Sequence, residues 1–161
     1  MSFYKKAGEL IFGTRLKRLS DRFLDEVSSI YKKLGISFEV SWFPLFYLLH
    51  HKEGLSVTEI AKELHITHSA VSQLVTNLEK KDLVRFIDDE NDKRKRIIGF
   101  TKSGQKMMYE IKPVWESMKK SMRLLLHKKE NSARLLKALD EIEDTLEKES
   151  LCERVLKNIK T

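Results

Sequence analysis

Two short apolar stripes at helical spacing, separated by a two-residue break, constrain this chain more than anything else in it. Within residues 54–64, Val57, Ile60, Ala61 and Leu64 fall on one helical face. Ser56 stands three residues before Glu59. At that spacing a hydroxyl closes one free amide of the first turn and the carboxylate reaches back to another. His65-Ile66 interrupts the pattern, and Thr67 can cap a second helix whose buried stripe is Ala70, Val71, Leu74, Val75 and Leu78. The other face of that helix carries His68, Ser69, Ser72, Gln73, Thr76 and Asn77. Two amphipathic helices joined by a tight turn predict a helix-turn-helix. Short, uncharged side chains that both donate and accept suit base edges in a DNA major groove, and they equally suit a plain solvated surface.

The residues that follow favour the first reading. Leu83-Val84-Arg85-Phe86-Ile87 alternates as a strand does, and Asp88-Asp89-Glu90-Asn91-Asp92 is a run of turn formers. Lys93-Arg94-Lys95-Arg96 is four successive cations, and Ile97-Ile98-Gly99-Phe100 is a second strand. A hairpin with a basic tip directly after such a helix is a wing, able to reach phosphates or an adjacent minor groove.

Residues 54–104 resemble the winged helix-turn-helix of the MarR family of bacterial transcriptional regulators. The resemblance rests on residues 56–64, Ser69-Ala70-Val71-Ser72, Leu78-Glu79-Lys80-Lys81-Asp82-Leu83-Val84, the Asp-x-Arg of Asp92 and Arg94, and Phe100-Thr101-Lys102-Ser103-Gly104. It extends more loosely over the flanking helices. Two positions depart from the family pattern: Asp82 stands where Gly is common, and Gly99-Phe100 replaces a branched or Leu pair. Asp tolerates left-handed backbone, so the first departure is compatible with the turn. The resemblance implies a mainly α fold with a small β-hairpin wing, and a homodimer on double-stranded DNA with an inverted-repeat operator. Helix 67–80 would read the major groove and wing 84–100 would flank it. Thr67, His68, Ser69, Ser72, Gln73, Thr76, Asn77, Lys93, Arg94, Lys95 and Arg96 are the expected DNA-binding residues, with Asp92 orienting Arg94 at the wing tip. Repression relieved by a small aromatic or anionic effector is the family's common mode. Tyr31, Trp42, Phe46, Tyr47 and Trp115 are the expected lining of an effector pocket, or else ordinary core.

Outside the winged segment the chain is helical. Phe12, Leu16, Leu19, Phe23, Val27, Ile30 and Leu34 predict one long helix over 8–34, stopped by Gly35. Trp42 to Leu49 is apolar nearly all round, a buried helix with Pro44 in its first turn. Met107, Met108, Ile111, Val114, Trp115, Met118, Met122, Leu125 and Leu126 predict a long helix with a kink, or the local loss of one backbone bond, at Pro113. Leu135, Leu136, Leu139, Ile142 and Leu146 predict another, from Ser132 to about Leu151, extending or fraying beyond Glu153. The expected organisation is a helical dimerisation region, 1–36 and 105–161, around a DNA-binding domain, 37–104. The terminal helices carry more apolar surface than a small winged domain can cover, and a second copy of the chain is the simplest cover.

The net charge of +7 is weak evidence by itself. From 52 to 104 there are ten Lys or Arg against nine Asp or Glu, so the positive charge that matters is concentrated at the wing. No phosphate-binding glycine loop, nucleophile motif or metal-ligand spacing is present, so no enzyme, cofactor or metal is expected. A lone Cys152 supports no disulfide and reads as a bystander thiol. No apolar run is long enough for a membrane span, and no signal core follows the basic first residues, so a cytoplasmic protein is expected. The competing class is a winged-helix protein-interaction module without sequence-specific DNA binding.

Overall fold

A computed structural model of the chain describes residues 3–52, 54–88 and 96–159. Close contacts divide the chain into two units, 1–113 and 114–161.

In the first unit, the one-turn segments Phe3–Lys6 and Gly8–Ile11 precede α1, Phe12–Lys33. The expected helix over 8–34 therefore starts later: its first turn is a tighter 3₁₀ turn that opens on a left-handed Gly8, φ 57°. Gly35 ends α1 as its spacing predicts. With φ at 68° it lets the Ile36 N–H reach Tyr31 O at 3.0 Å and its own N–H reach Lys32 O at 3.2 Å. A short 3₁₀ turn, Val40–Trp42, leads into α2, Phe43–His51, with Pro44 in the first turn where no helical amide is lost.

The helix-turn-helix follows as α3, Val57–Leu64, and α4, His68–Lys80. Ser56 and Glu59 form the reciprocal cap: the Glu59 N–H donates to Ser56 Oγ at 3.3 Å and the Ser56 N–H to Glu59 Oε2 at 2.8 Å. His65 makes the turn in left-handed backbone, φ 52°. Thr67 Oγ1 accepts from the Ala70 N–H at 3.2 Å and starts α4.

The wing pairs β1, Val84–Asp88, with β2, Arg96–Phe100, antiparallel, in the register Val84 to Phe100, Phe86 to Ile98 and Asp88 to Arg96. Leu55 adds a one-residue bridge on the other edge, the Ile98 N–H donating to its carbonyl at 2.8 Å. This bridge seats the hairpin against the loop before α3. Then α5, Lys102–Leu126, runs unbroken through Pro113.

The core of the first unit is apolar throughout: Leu45, Phe46, Ile60, Val71, Leu78, Ile98 and Ile111 are wholly buried. Phe38 is the hub of its aromatic part, with ring centroids 5.1 Å from Tyr31, 5.6 Å from Trp42 and 5.0 Å from Phe46.

In the second unit the expected helix from Ser132 to about Leu151 is present with tighter bounds, and the stretch expected to extend it or fray is a separate helix. A turn at Glu130–Ala133 precedes α6, Leu135–Lys148, and a break leads to α7, Leu151–Ile159. The cause is a second reciprocal cap. The Ser150 N–H donates to Glu153 Oε2 at 2.9 Å, and the Glu153 N–H to Ser150 Oγ at 3.3 Å. That pair starts a new helix where the preceding one would otherwise extend or fray. Neither α6 nor α7 buries a residue, and Leu136, Leu146, Leu151, Val155 and Ile159 are exposed.

Candidate nucleic-acid interface

The α4 helix is held from one side and open on the other. Val71, Val75 and Leu78 lock it into the core. Fully burying three such side chains contributes roughly 1.5–3 kcal/mol each relative to leaving them exposed. The opposite face forms an open groove lined by Ser69, Ser72, Gln73, Thr76, Asn77 and Lys80. Five of these six are sequence-expected contacts. Lys80 is the one that residue-type reasoning passed over. Its spacing from Ser69, Gln73 and Thr76 already put it on that face, and it is the groove's only charged lining residue. Thr67 and His68 lie exposed at the start of the helix, outside the groove, with the Thr67 oxygen engaged in capping.

Lys81, the next cation, points elsewhere. Its Nζ lies 3.8 Å from Glu39 and 5.3 Å from the Trp42 ring centroid. Near α3, Lys52 Nζ donates to Glu63 Oε1 at 2.6 Å, and this bond, before the lysine's charge, holds the Glu63 carboxyl below its ordinary range.

On the wing, Arg96 lies opposite Asp88, with its guanidinium 4.6 Å from the Phe86 ring centroid. A stacked guanidinium keeps its donors free at the edge of the ring plane, so Arg96 is oriented while remaining able to meet an anion. The expected contacts Lys93, Arg94 and Lys95, and the orienting Asp92, lie outside the described residues.

The five aromatic residues expected to line an effector pocket have different surroundings. Tyr31, Trp42 and Phe46 are core, joined through Phe38. Tyr47 is exposed, its ring between those of Phe43 at 5.6 Å and His51 at 4.3 Å. Trp115 is half-buried and belongs to the second unit. Among the described residues no three or more His, Cys, Asp or Glu are grouped to hold a metal ion, and no helix is long and apolar enough to cross a membrane.

Residues 34–95 match the family model of the MarR family. The chain carries a MarR-family domain. Solved structures of DNA-binding proteins share its fold. A Staphylococcus aureus MepR–DNA complex is 25% identical with a TM-score of 0.70, over 86% of this chain and 99% of that one. The transcriptional repressor CouR, bound to a 23-mer DNA duplex, is 24% identical with a TM-score of 0.69, over 84% and 96%. Bordetella bronchiseptica BpsR, whose DNA binding is regulated by 6-hydroxynicotinic acid, is 19% identical with a TM-score of 0.63, over 82% and 92%. Comparison with the curated proteins returned no significant match.

Proposed function

We propose that this MarR-type protein is a DNA-binding transcriptional regulator. It acts in the cytoplasm as a homodimer on an inverted-repeat operator, and represses until a small aromatic or anionic effector releases it. The observation that carries the reading is the groove face of α4: neutral donors and acceptors with one cation, presented outward by a helix whose other face is fixed in the core. Gln73 is the best direct reader, since its amide pairs with an adenine edge. Phosphates fall to Lys80 and to the wing cations Lys93, Lys95 and Arg96, while Arg94, oriented by Asp92, would enter the minor groove.

The DNA-bound state of two structurally similar regulators supports the partner, and BpsR supports relief by a small molecule. Of the first unit's expected effector residues, Tyr47 is the accessible one in this reading, with Tyr31, Trp42 and Phe46 in the core behind it. The homodimer is supported by apolar side chains left exposed on the terminal helices: Leu19 and Leu24 on α1, Leu136 and Leu146 on α6, Leu151 and Val155 on α7. Two such arms meeting about a two-fold axis match two half-sites on one DNA face. Segments 1–36 and 105–161 would then be the dimerisation region and 37–104 the DNA-binding domain.

The test is binding-site selection from genomic DNA with the purified protein, followed by titration of the enriched duplex with wild type and Arg94→Ala. The expected result is a shared inverted repeat bound by a dimer and weakened by the substitution. No enriched site, with weak binding indifferent to Arg94, would instead make the protein an interaction module.

A further inference from the structure

The corner between α4 and α5 holds an arrangement that groove contacts alone do not explain. Asp82 has φ at 54°, a left-handed backbone that Gly adopts freely and other residues adopt at a cost. Both of its acceptor groups are engaged by the start of α5. The Thr101 hydroxyl donates to the Asp82 carbonyl at 2.5 Å, and the Ser103 hydroxyl donates to Asp82 Oδ2 at 2.7 Å. Thr101 Oγ1 in turn accepts from the Gly104 N–H at 3.0 Å, capping α5. The first turn of α5 has no acidic residue of its own, so Asp82 supplies from outside the negative charge that a helix N-terminus favours.

The backbone closes at the same place. The Asp82 N–H donates to Glu79 O and the Leu83 N–H to Leu78 O, each at 2.9 Å, and the Thr101 N–H donates to Leu83 O at 3.2 Å. The last turn of the groove-facing helix is therefore tied to α5, two residues beyond Lys80. A glycine would meet the φ requirement without strain and would leave Ser103 unheld.

We propose that Asp82 is a positioning residue for DNA recognition. By accepting from Ser103 it fixes how α4 leaves the corner, and hence how Gln73, Thr76 and Lys80 meet a groove. This role rests on the regulator reading above.

The duplex selected by the wild type is titrated with Asp82→Gly, Ser103→Ala, the double variant and Asp82→Asn at several salt concentrations, alongside thermal melts. Asp82→Gly and Ser103→Ala should each weaken binding about tenfold, the scale of one lost base contact. The double should be no worse than the singles, because both remove one interaction. Asp82→Asn tolerates the left-handed backbone and keeps an acceptor, so it should bind near wild type. Asp82→Gly should melt close to wild type, since strain relief offsets the lost bond, and its salt slope should be unchanged, since no phosphate contact is removed. Unchanged binding by Asp82→Gly sinks the role and leaves the regulator reading intact. So does tighter binding by both Asp82→Gly and Asp82→Asn, which would make the carboxylate a repulsive charge. A lowered melting temperature that accounts for the weaker binding would reduce Asp82 to a structural residue. A wild type that selects no duplex overturns the regulator reading and this role together.

Discussion

Replacing Lys80 with Gln tests the groove face through a quantity that stability cannot mimic. Lys80 is the only charged residue lining the groove, so Lys80→Gln removes the groove's entire formal charge while keeping a long polar side chain and a good helix former. If Lys80 neutralises a phosphate, each contact adds about 0.9 to the negative slope of log affinity against log salt. A dimer has two such lysines, so the variant's slope should be shallower by about 1.8. Over a fourfold rise in salt, from about 50 to 200 mM, the advantage of wild type over variant should then shrink about twelvefold. Fluorescence anisotropy of the selected duplex at four or five salt concentrations gives both slopes. Lys80 also sits at the C-terminal end of α4, where a cation is worth about 0.3–1 kcal/mol against the helix dipole, so a small loss of stability is expected and does not enter the slope. Gln73→Ala is the counterpart: it should relax preference between sequences and leave the slope alone. Parallel slopes for Lys80→Gln and wild type would show that the lysine touches no phosphate.

Three further outcomes follow from the packing. Gly104→Ala would place a Cβ 1.9 Å from Leu83 O, with backbone on both sides of the clash, and should destabilise by about 2–3 kcal/mol in denaturant titration. Ser150→Ala removes the cap that starts α7; it should cost about 1 kcal/mol and raise hydrogen exchange in α7 before any other helix. The His50 imidazole is held below its ordinary value near 6.5, first by burial, then by the charges of Lys112 and His51. The folded state therefore binds that proton less readily than the unfolded one. Stability from this group is present above about pH 6.5 and declines as pH falls toward and through the folded value. His50→Gln should flatten that part of the acid limb in a pH series of thermal melts, and an unaltered limb would refute the assignment.

Features written locally in the sequence were legible. Ser56 with Glu59, Thr67 before Ala70, Gly35 after α1 and Pro44 in the first turn of α2 each act within one helical turn, so residue type and spacing suffice to place them. What escaped depends on distant partners or on competing signals. Phe38 stands alone between two apolar segments, and only the return of α1 against α2 makes it the hub of an aromatic cluster. Leu55 bridges Ile98 across the whole helix-turn-helix. Lys80 was hidden by its charge, which reads as solvated surface until its face is seen to continue the groove. Ser150 and Glu153 carry the same capping pattern as Ser56 and Glu59, but the apolar periodicity around them masks it. At the α4 exit, the tolerance of Asp for left-handed backbone was readable, whereas its bond to Ser103 was not.

The exposed apolar faces of α6 and α7 have a consequence for how the protein exists at low abundance. Helices of 14 and 9 residues are at or below the length at which an isolated helix holds together in water, roughly 12–15 residues, and neither buries a side chain of its own. A cover over their apolar faces would add order that their length alone does not supply. Where the cover is a second copy, mass action links folding to concentration: the melting temperature rises with the amount of protein, and dilution unravels the arms. Newly made chains at low copy number would then be poor ligands for any two-fold site, and occupancy would turn on with a threshold in expression level.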